Sequence, residues 1–259
     1  MNRPSLLLAL LLSAPLHAAT LSGLWEFDDS ANLGKATVGS DLVFTGTAPS
    51  YNASVADDGA VSLNGVMTTV AGAANRITAT HGIDPTHSPG TLVSQYSIVM
   101  DLVSPAASRA GWRALFQTNT ANTNDADYFI RNSNDTIGIS TLGYSASPIN
   151  ETVWTRLVIT VDLDLAGNDV KAYVNGSLFH THASNQTLTG TYALDPTVLF
   201  FTDNDGENLA LNIGSLAIYD GVLTPTEITT LGGAGTAVPE PSVLGLVTMA
   251  SLLGVRRRR

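Results

Sequence analysis

The sequence predicts an all-β sandwich, on three observations. Residues 20–222 read as short β-rich runs broken by clusters of Gly, Asn, Asp, Ser and Pro. No stretch sustains an apolar period of 3.6 residues, and only one helix, near the C-terminal end, carries clear start and stop signals. Many short strands without βαβ alternation exclude an α/β layout and favour a sandwich or jelly roll. No repeat at a fixed period suggests a solenoid or propeller.

In chain order, strands are expected at 21–27, 61–64, 96–103, 112–117, 128–131 and 136–140. The strongest pair follows. Residues 153–163 alternate well, 164–168 turn, and 169–174 return before Asn175-Gly176, a dipeptide that tolerates positive φ at both positions and marks a hairpin. Two further strands, 200–202 and 209–219, flank the acidic turn Asp203-Asn204-Asp205-Gly206-Glu207. At Thr224-Pro225-Thr226-Glu227 the residues suit a helix start, with Thr224 as cap, Pro225 at the first helical position and Glu227 closing a capping box. Gly232-Gly233 ends that helix. Residues 234–237 read as a linker.

The two ends look processed. The N-terminus has Arg3 as its only charge, an apolar run at 6–12 and small residues at Ala18 and Ala19, the layout of a signal peptide spanning 1–19. The run is too short for a membrane span, which needs roughly 20 residues. At the other end, Val238-Pro239-Glu240-Pro241 precedes an apolar stretch and Arg256, Arg257, Arg258 and Arg259. Such a cluster stays cytoplasmic and leaves the body on the far side. The tail reads either as a plain anchor or as a removable hydrophobic sorting helix with transient membrane association.

With Arg3, Arg256–Arg259 and Glu240 set aside, seven basic and 21 acidic residues remain of 12 and 22, a net charge near −14. No nucleic-acid partner is therefore expected, because phosphate contacts need clustered Lys and Arg. There is no cysteine, so an exported body of this kind depends on its core and on any bound metal.

The order Val-Pro-Glu-Pro, apolar run and arginine cluster closely resembles the PEP-CTERM sorting signal of Gram-negative, exopolysaccharide-producing bacteria. The resemblance covers residues 238–259. It implies an exosortase-type processing protease as partner and a location in the cell envelope, on the cell surface or in the extracellular matrix.

The body, residues 20–233, resembles the LamG-like branch of the concanavalin A-like lectin/glucanase jelly rolls. Gly23-Leu24-Trp25-Glu26-Phe27-Asp28 is similar to the opening strand. Trp154-Thr155-Arg156-Leu157 with Tyr173-Val174-Asn175-Gly176 is similar to the central hairpin, and 213–220 with Leu223-Thr224-Pro225-Thr226-Glu227-Ile228 to the last strand and its helix. A bacterial subgroup shares blocks like His81-Gly82-Ile83, Gln95-Tyr96-Ser97-Ile98, Trp112-Arg113-Ala114-Leu115 and Asn124-Asp125-Ala126-Asp127. The resemblance implies a concanavalin A-like jelly-roll β-sandwich with one short C-terminal helix. Such domains serve adhesion, glycan binding or plain structure, so fold alone does not fix function.

Two oxygen-rich clusters are the candidate sites. Asp203, Asn204, Asp205 and Glu207 offer hard ligands within five residues and suit calcium, the one expected cofactor; the same residues also make an ordinary solvated hairpin loop. Calcium is common at the rim of the superfamily the body resembles. Asn122, Asn124, Asp125 and Asp127 lie beside Tyr128 and Phe129. There they could bind sugar hydroxyls next to an aromatic face, supply calcium ligands, or simply stabilise a turn.

Trp25, Trp112 and Trp154 sit among apolar neighbours as core aromatics. His81 and His87 lack a third clustered ligand for zinc, and His180 and His182 alternate on one strand face that should look to solvent. The Glu-x-Asp-x-x-Glu string of the superfamily's glucanases is absent, as are a Gly-x-Ser-x-Gly elbow, a P-loop and a dinucleotide fingerprint. No catalytic residue is assigned. The expectation is a non-catalytic exported surface or matrix protein that binds polysaccharide or another matrix component. The alternatives are a purely structural matrix protein and a hydrolase or lyase with an atypical carboxylate pair.

Overall fold

A computed structural model describes residues 19–85, 90–121, 126–139, 142–164, 169–182 and 191–239. Residues 1–18 of the expected signal peptide 1–19, His87 and the residues from Glu240 onward, with Pro241 and Arg256–Arg259, lie outside the described residues.

The strands are β1 (Thr20–Trp25), β2 (Val43–Thr45), β3 (Ser50–Ala56), β4 (Ser62–Thr68), β5 (Arg76–Thr80), β6 (Gln95–Val103), β7 (Arg113–Gln117) and β8 (Asp127–Ile130). They continue with β9 (Ile137–Ile139), β10 (Gly143–Tyr144), β11 (Thr155–Asp162), β12 (Asp169–Val174), β13 (Ser177–His182), β14 (Thr197–Phe200) and β15 (Asn212–Asp220), and the chain closes with helix α1 (Pro225–Leu231). The first sheet runs β13-β12-β11-β6-β15-β4-β3, with β1 also paired to β15; the second runs β10-β9-β8-β7-β14-β5-β2. All pairings are antiparallel.

Alternation assigns the faces. On β6, Tyr96, Ile98, Met100 and Leu102 enter the main core, where they meet Tyr128, Ile130, Ile137, Val198 and Phe200 of the second sheet. The other face of β6 and β11 is also dry, which is why Thr155–Asp162 is buried along its whole length. Val99, Val158, Tyr173, Ala217 and Tyr219 are covered by Leu223, Ile228 and Leu231 of the α1 segment. The first sheet is thus roofed on its outside, and this needs the helix.

That helix forms as its residues dictate. Thr224 Oγ1 accepts from the Glu227 amide at 3.3 Å, and Glu227 returns a carboxylate oxygen to the Thr224 amide at 2.8 Å. Gly232, at φ 67°, ends it. Asn175 and Gly176 take φ 49° and 82° and join β12 to β13 as the dipeptide predicts.

Two expectations change. The turn at 203–207 is not a hairpin loop: β14 pairs with β5 and β7 while β15 pairs with β1, β4 and β6, so the turn crosses from one sheet to the other. Residues 234–237 are not a free linker either. They lie over the outside of the first sheet, where buried Arg156 donates to Leu231 O at 2.6 Å, Thr236 Oγ1 at 2.7 Å and Thr236 O at 2.5 Å. Asp101 accepts from the Gly235 amide at 2.9 Å. Gly235 is required there, because a Cβ would sit 2.5 Å from Leu63 Cδ2 and its φ is +80°. Further on, Val238 packs against the outer cluster and Tyr219 donates to Pro239 O at 3.3 Å. Among the described residues no helix is long and apolar enough to cross a membrane.

Candidate functional site

Asp127 and the acidic turn at 203–207, 76 residues apart between Asp127 and Asp203 in the sequence, meet around one aromatic row on the outside of the second sheet. In β8, Tyr128 and Ile130 join the core, so Asp127, Phe129 and Arg131 face the other way. Register places Phe129 opposite Ala114 of β7 and Gly138 of β9, and Gly138 opposite Tyr144 of β10. Trp112 leans on this row, with its ring 5.4 Å from Phe129 and 6.2 Å from Tyr144. Arg131 lies over the Tyr144 ring, its guanidinium carbon 4.9 Å from the centroid. Trp112, Tyr144 and Arg131 are each partly exposed, whereas Phe129 is buried beneath them.

The acidic turn reaches the same place. Leu209 donates its amide to Trp112 O at 2.8 Å, which fixes the chain just after Glu207 against the start of β7. Burial raises the Tyr144 hydroxyl above its ordinary value; Arg131 opposes this, while Glu207 and Asp127 add to it. Glu207 is itself raised, first by burial and then by the charges of Asp203 and Asp205. The result is an aromatic surface of two mutually tilted rings, bordered by one guanidinium and several carboxylates.

Tyr128 is a correction. Its side chain is 2% exposed, stacks on Phe116 at 5.5 Å and bonds His182 Nε2 through its hydroxyl at 2.7 Å, so it cannot face a ligand. One step of strand alternation separates it from Phe129, which lies under the surface row. Asn122, Asn124 and Asp125 lie outside the described residues.

His182 is a second correction. It lies near His180 as expected, ring centroids 4.4 Å apart, but it is 1% exposed and bridges the two sheets through Tyr128 instead of looking to solvent. Burial first, then His180, lower it to about 4. His81 is also structural: Nε2 meets Asp195 O at 2.7 Å, and Nδ1 accepts from the Ile83 amide at 3.0 Å. Trp25 and Trp154 are core residues, with their indole N–H groups donating to Ser40 O and Val55 O. Trp112 is the one that reaches the surface. Tyr144 and Arg131 carried no signal in the sequence, since only the pairing of β8, β9 and β10 brings them beside Trp112.

As arranged, the acidic turn does not form a calcium cage. Asp203 Oδ2 accepts from the amides of Asp205 and Glu207, at 3.0 and 2.8 Å, and so braces its own turn. Among the described residues, no three His, Asp or Glu side chains group as ligands of one ion.

Two antiparallel sheets packed face to face, with a single short helix, define a jelly-roll β-sandwich. The chain belongs to the concanavalin A-like lectin/glucanases superfamily, whose model matches residues 74–229. No curated protein matches the chain. Among solved structures it is similar to domain 4 of AbnA, a GH43 extracellular arabinanase from Geobacillus stearothermophilus, in complex with arabinotriose. That match has a TM-score of 0.52 and 18% identity, covering 83% of this chain and 100% of that one. It is also similar to the receptor binding domain of the botulinum neurotoxin C/D mosaic serotype, with a TM-score of 0.54 and 15% identity over 82% of this chain and 50% of that one. A third similar structure, of botulinum neurotoxin type C, concerns cell entry dependent upon interaction with two ganglioside molecules; its TM-score is 0.54 and its identity 14%, over 82% of this chain and 50% of that one. At these identities the likeness is one of fold.

Proposed function

We propose that the protein is a non-catalytic carbohydrate-binding module that holds a polysaccharide against the Trp112–Tyr144 row. The partly exposed Trp112 and Tyr144 rings, bordered by Arg131, Asp127 and Glu207, carry this reading. Sugar rings present an apolar C–H face and a rim of hydroxyls, and the row offers both counterparts: aromatic area for the first, charged donors and acceptors for the second. The arabinotriose and ganglioside named for two structures of the same fold support the choice of ligand class. A glycan array with wild type and Trp112→Ala tests it: signal for at least one polysaccharide that the variant loses supports the site, and a blank array for wild type counts against it.

Glu207 favours a second reading. A carboxyl raised by burial and by neighbouring acids is suited to donate a proton, and Asp127 is a second carboxylate whose charge reaches Tyr144. A hydrolase or lyase would release reducing ends or unsaturated sugars from a polysaccharide panel, and Glu207→Gln would stop it. If the panel is inert, the binding module stands.

Calcium at 203–207 would relieve the repulsion among Asp203, Asp205 and Glu207, with Asp203 offering Oδ1, since Oδ2 holds the two turn amides. Export, removal of the tail by an exosortase-type protease, and display in a Gram-negative envelope or matrix complete the proposal, supported by the tail sequence at 238–259 and by the acidic, cysteine-free body. A purely structural matrix role predicts flat binding curves together with loss of matrix cohesion on deletion.

A further inference from the structure

A second polar recess lies on the opposite side of the molecule from the aromatic row. It is an open cleft of ≈ 410 Å³ on the outside of the first sheet, between the end of β1, the start of β4 and the C-terminal segment 235–238. That volume falls within the range of small-ligand sites. Its border is acidic. Glu26 and Asp28 stand at one wall, Ser62 and Asn64 at another, and Asp101 and Ser215 on the floor.

The cation count is equally informative. Arg156 is the one cation in contact with this lining among the described residues, and it is consumed by Asp101 and by the backbone of 231–236. Asp28, Ser62 and Asn64 make no side-chain hydrogen bond or ion pair among the described residues, and Glu26 uses one oxygen on Thr37 Oγ1 at 2.8 Å. Ser215 adds an independent observation. It sits opposite Asp101 in the β15–β6 pairing, so its hydroxyl points to the same outer face, toward the cleft floor. Its side chain is only 9% exposed, yet its Oγ has no hydrogen-bond partner. A buried hydroxyl without a protein partner is free to bond a water or a ligand hydroxyl that enters the cleft.

We propose that this cleft is a second binding site, for a sugar that carries an ammonium group. Two uncompensated carboxylates select a cation, and the hydroxyls and amide of Ser62, Asn64 and Ser215 select a hydroxylated one. The site does not rest on the aromatic row, and either can fail alone. It does depend on the C-terminal segment: Gly235, Thr236 and Val238 form one wall, and Asp101 and Arg156 hold that wall in position.

Calorimetric titration of the full chain with a glucosamine tetramer, its N-acetylated counterpart and putrescine tests the proposal. The glucosamine tetramer should bind about tenfold more tightly than either of the others, and the difference should shrink as salt is raised. Asp28→Asn and Glu26→Gln, both at exposed positions that leave folding intact, should each lose most of that preference. Trp112→Ala should leave it unchanged. Equal binding of the N-acetylated tetramer, or undiminished binding in Asp28→Asn, overturns the ammonium site. Equal binding of putrescine overturns the sugar in favour of a bare amine, and loss of glucosamine binding in Trp112→Ala assigns it to the aromatic row.

Discussion

Arg156 and Asp101 face each other across β11 and β6 as a bidentate pair, Nε to Oδ1 at 2.7 Å and Nη2 to Oδ2 at 2.8 Å, with both side chains almost wholly excluded from water. The remaining guanidinium hydrogens and the second acceptor site of Asp101 go to residues 231–236. A buried pair earns little over apolar residues of the same size, but breaking it strands a charge. Arg156→Ala should therefore cost about 3–5 kcal/mol in denaturant unfolding. The double replacement Arg156→Leu with Asp101→Leu should cost less than the two single changes added together. Additive losses would show that the two residues do not act as a unit.

Acid should weaken the fold through His182. Its folded pKa is lowered to about 4 by burial, below the usual 6.5, so the unfolded chain binds more protons between those values. Stability at neutral pH is unaffected and falls as pH drops from about 6.5 to about 4, by up to about 3 kcal/mol for this group. His182→Gln should flatten that slope between pH 7 and 4 in urea titrations. His81, also lowered by burial, accounts for part of what remains.

Carbohydrate affinity should fall about tenfold or more in Trp112→Ala and in Tyr144→Ala, since exposed aromatic anchors dominate such sites. Phe129→Ala should instead lower stability, because that ring is 6% exposed and supports Trp112 from beneath. Measuring affinity and melting temperature together separates the two effects.

A calcium titration followed by thermal melting tests the turn at 203–207. Binding would raise the melting temperature, and Asp205→Ala would abolish the rise. Asp203→Ala should destabilise even without calcium, by about 1 kcal/mol per lost bond, because its carboxylate holds two turn amides. A melting curve indifferent to calcium removes the ion from the proposal.

Loss of the Thr224 cap should be mild and local. Thr224→Ala should cost about 1 kcal/mol, and hydrogen exchange should rise in 225–231 before it rises in β6 or β11.

Much of the fold was legible because local chemistry dictated it. The capping box at 224–227, the Asn175-Gly176 turn and the alternating run at β11 each specify their own geometry. β3 was not legible: Ser50–Ala56 is polar and mostly exposed, and it is a strand only because β4 pairs with it. β2 and β10, at three and two residues, are likewise products of their neighbours. The site was half legible. Acidic residues at 127 and 203–207 stood out by type, but strand phase decided that Phe129 and not Tyr128 lies toward the surface. Long-range pairing decided that Asp127 and Glu207 meet at Tyr144.

The strap at 233–239 gives the molecule a back and a front. Pro239 lies on the outside of the first sheet, held by Tyr219, while Trp112 and Tyr144 stand on the outside of the second, beyond a core about 10 Å thick. A body fastened to any support through residues after Pro239 would hold its aromatic row away from that support. Neighbouring copies on one support would then all present the row in the same direction, a layout suited to catching long polymers from the surroundings.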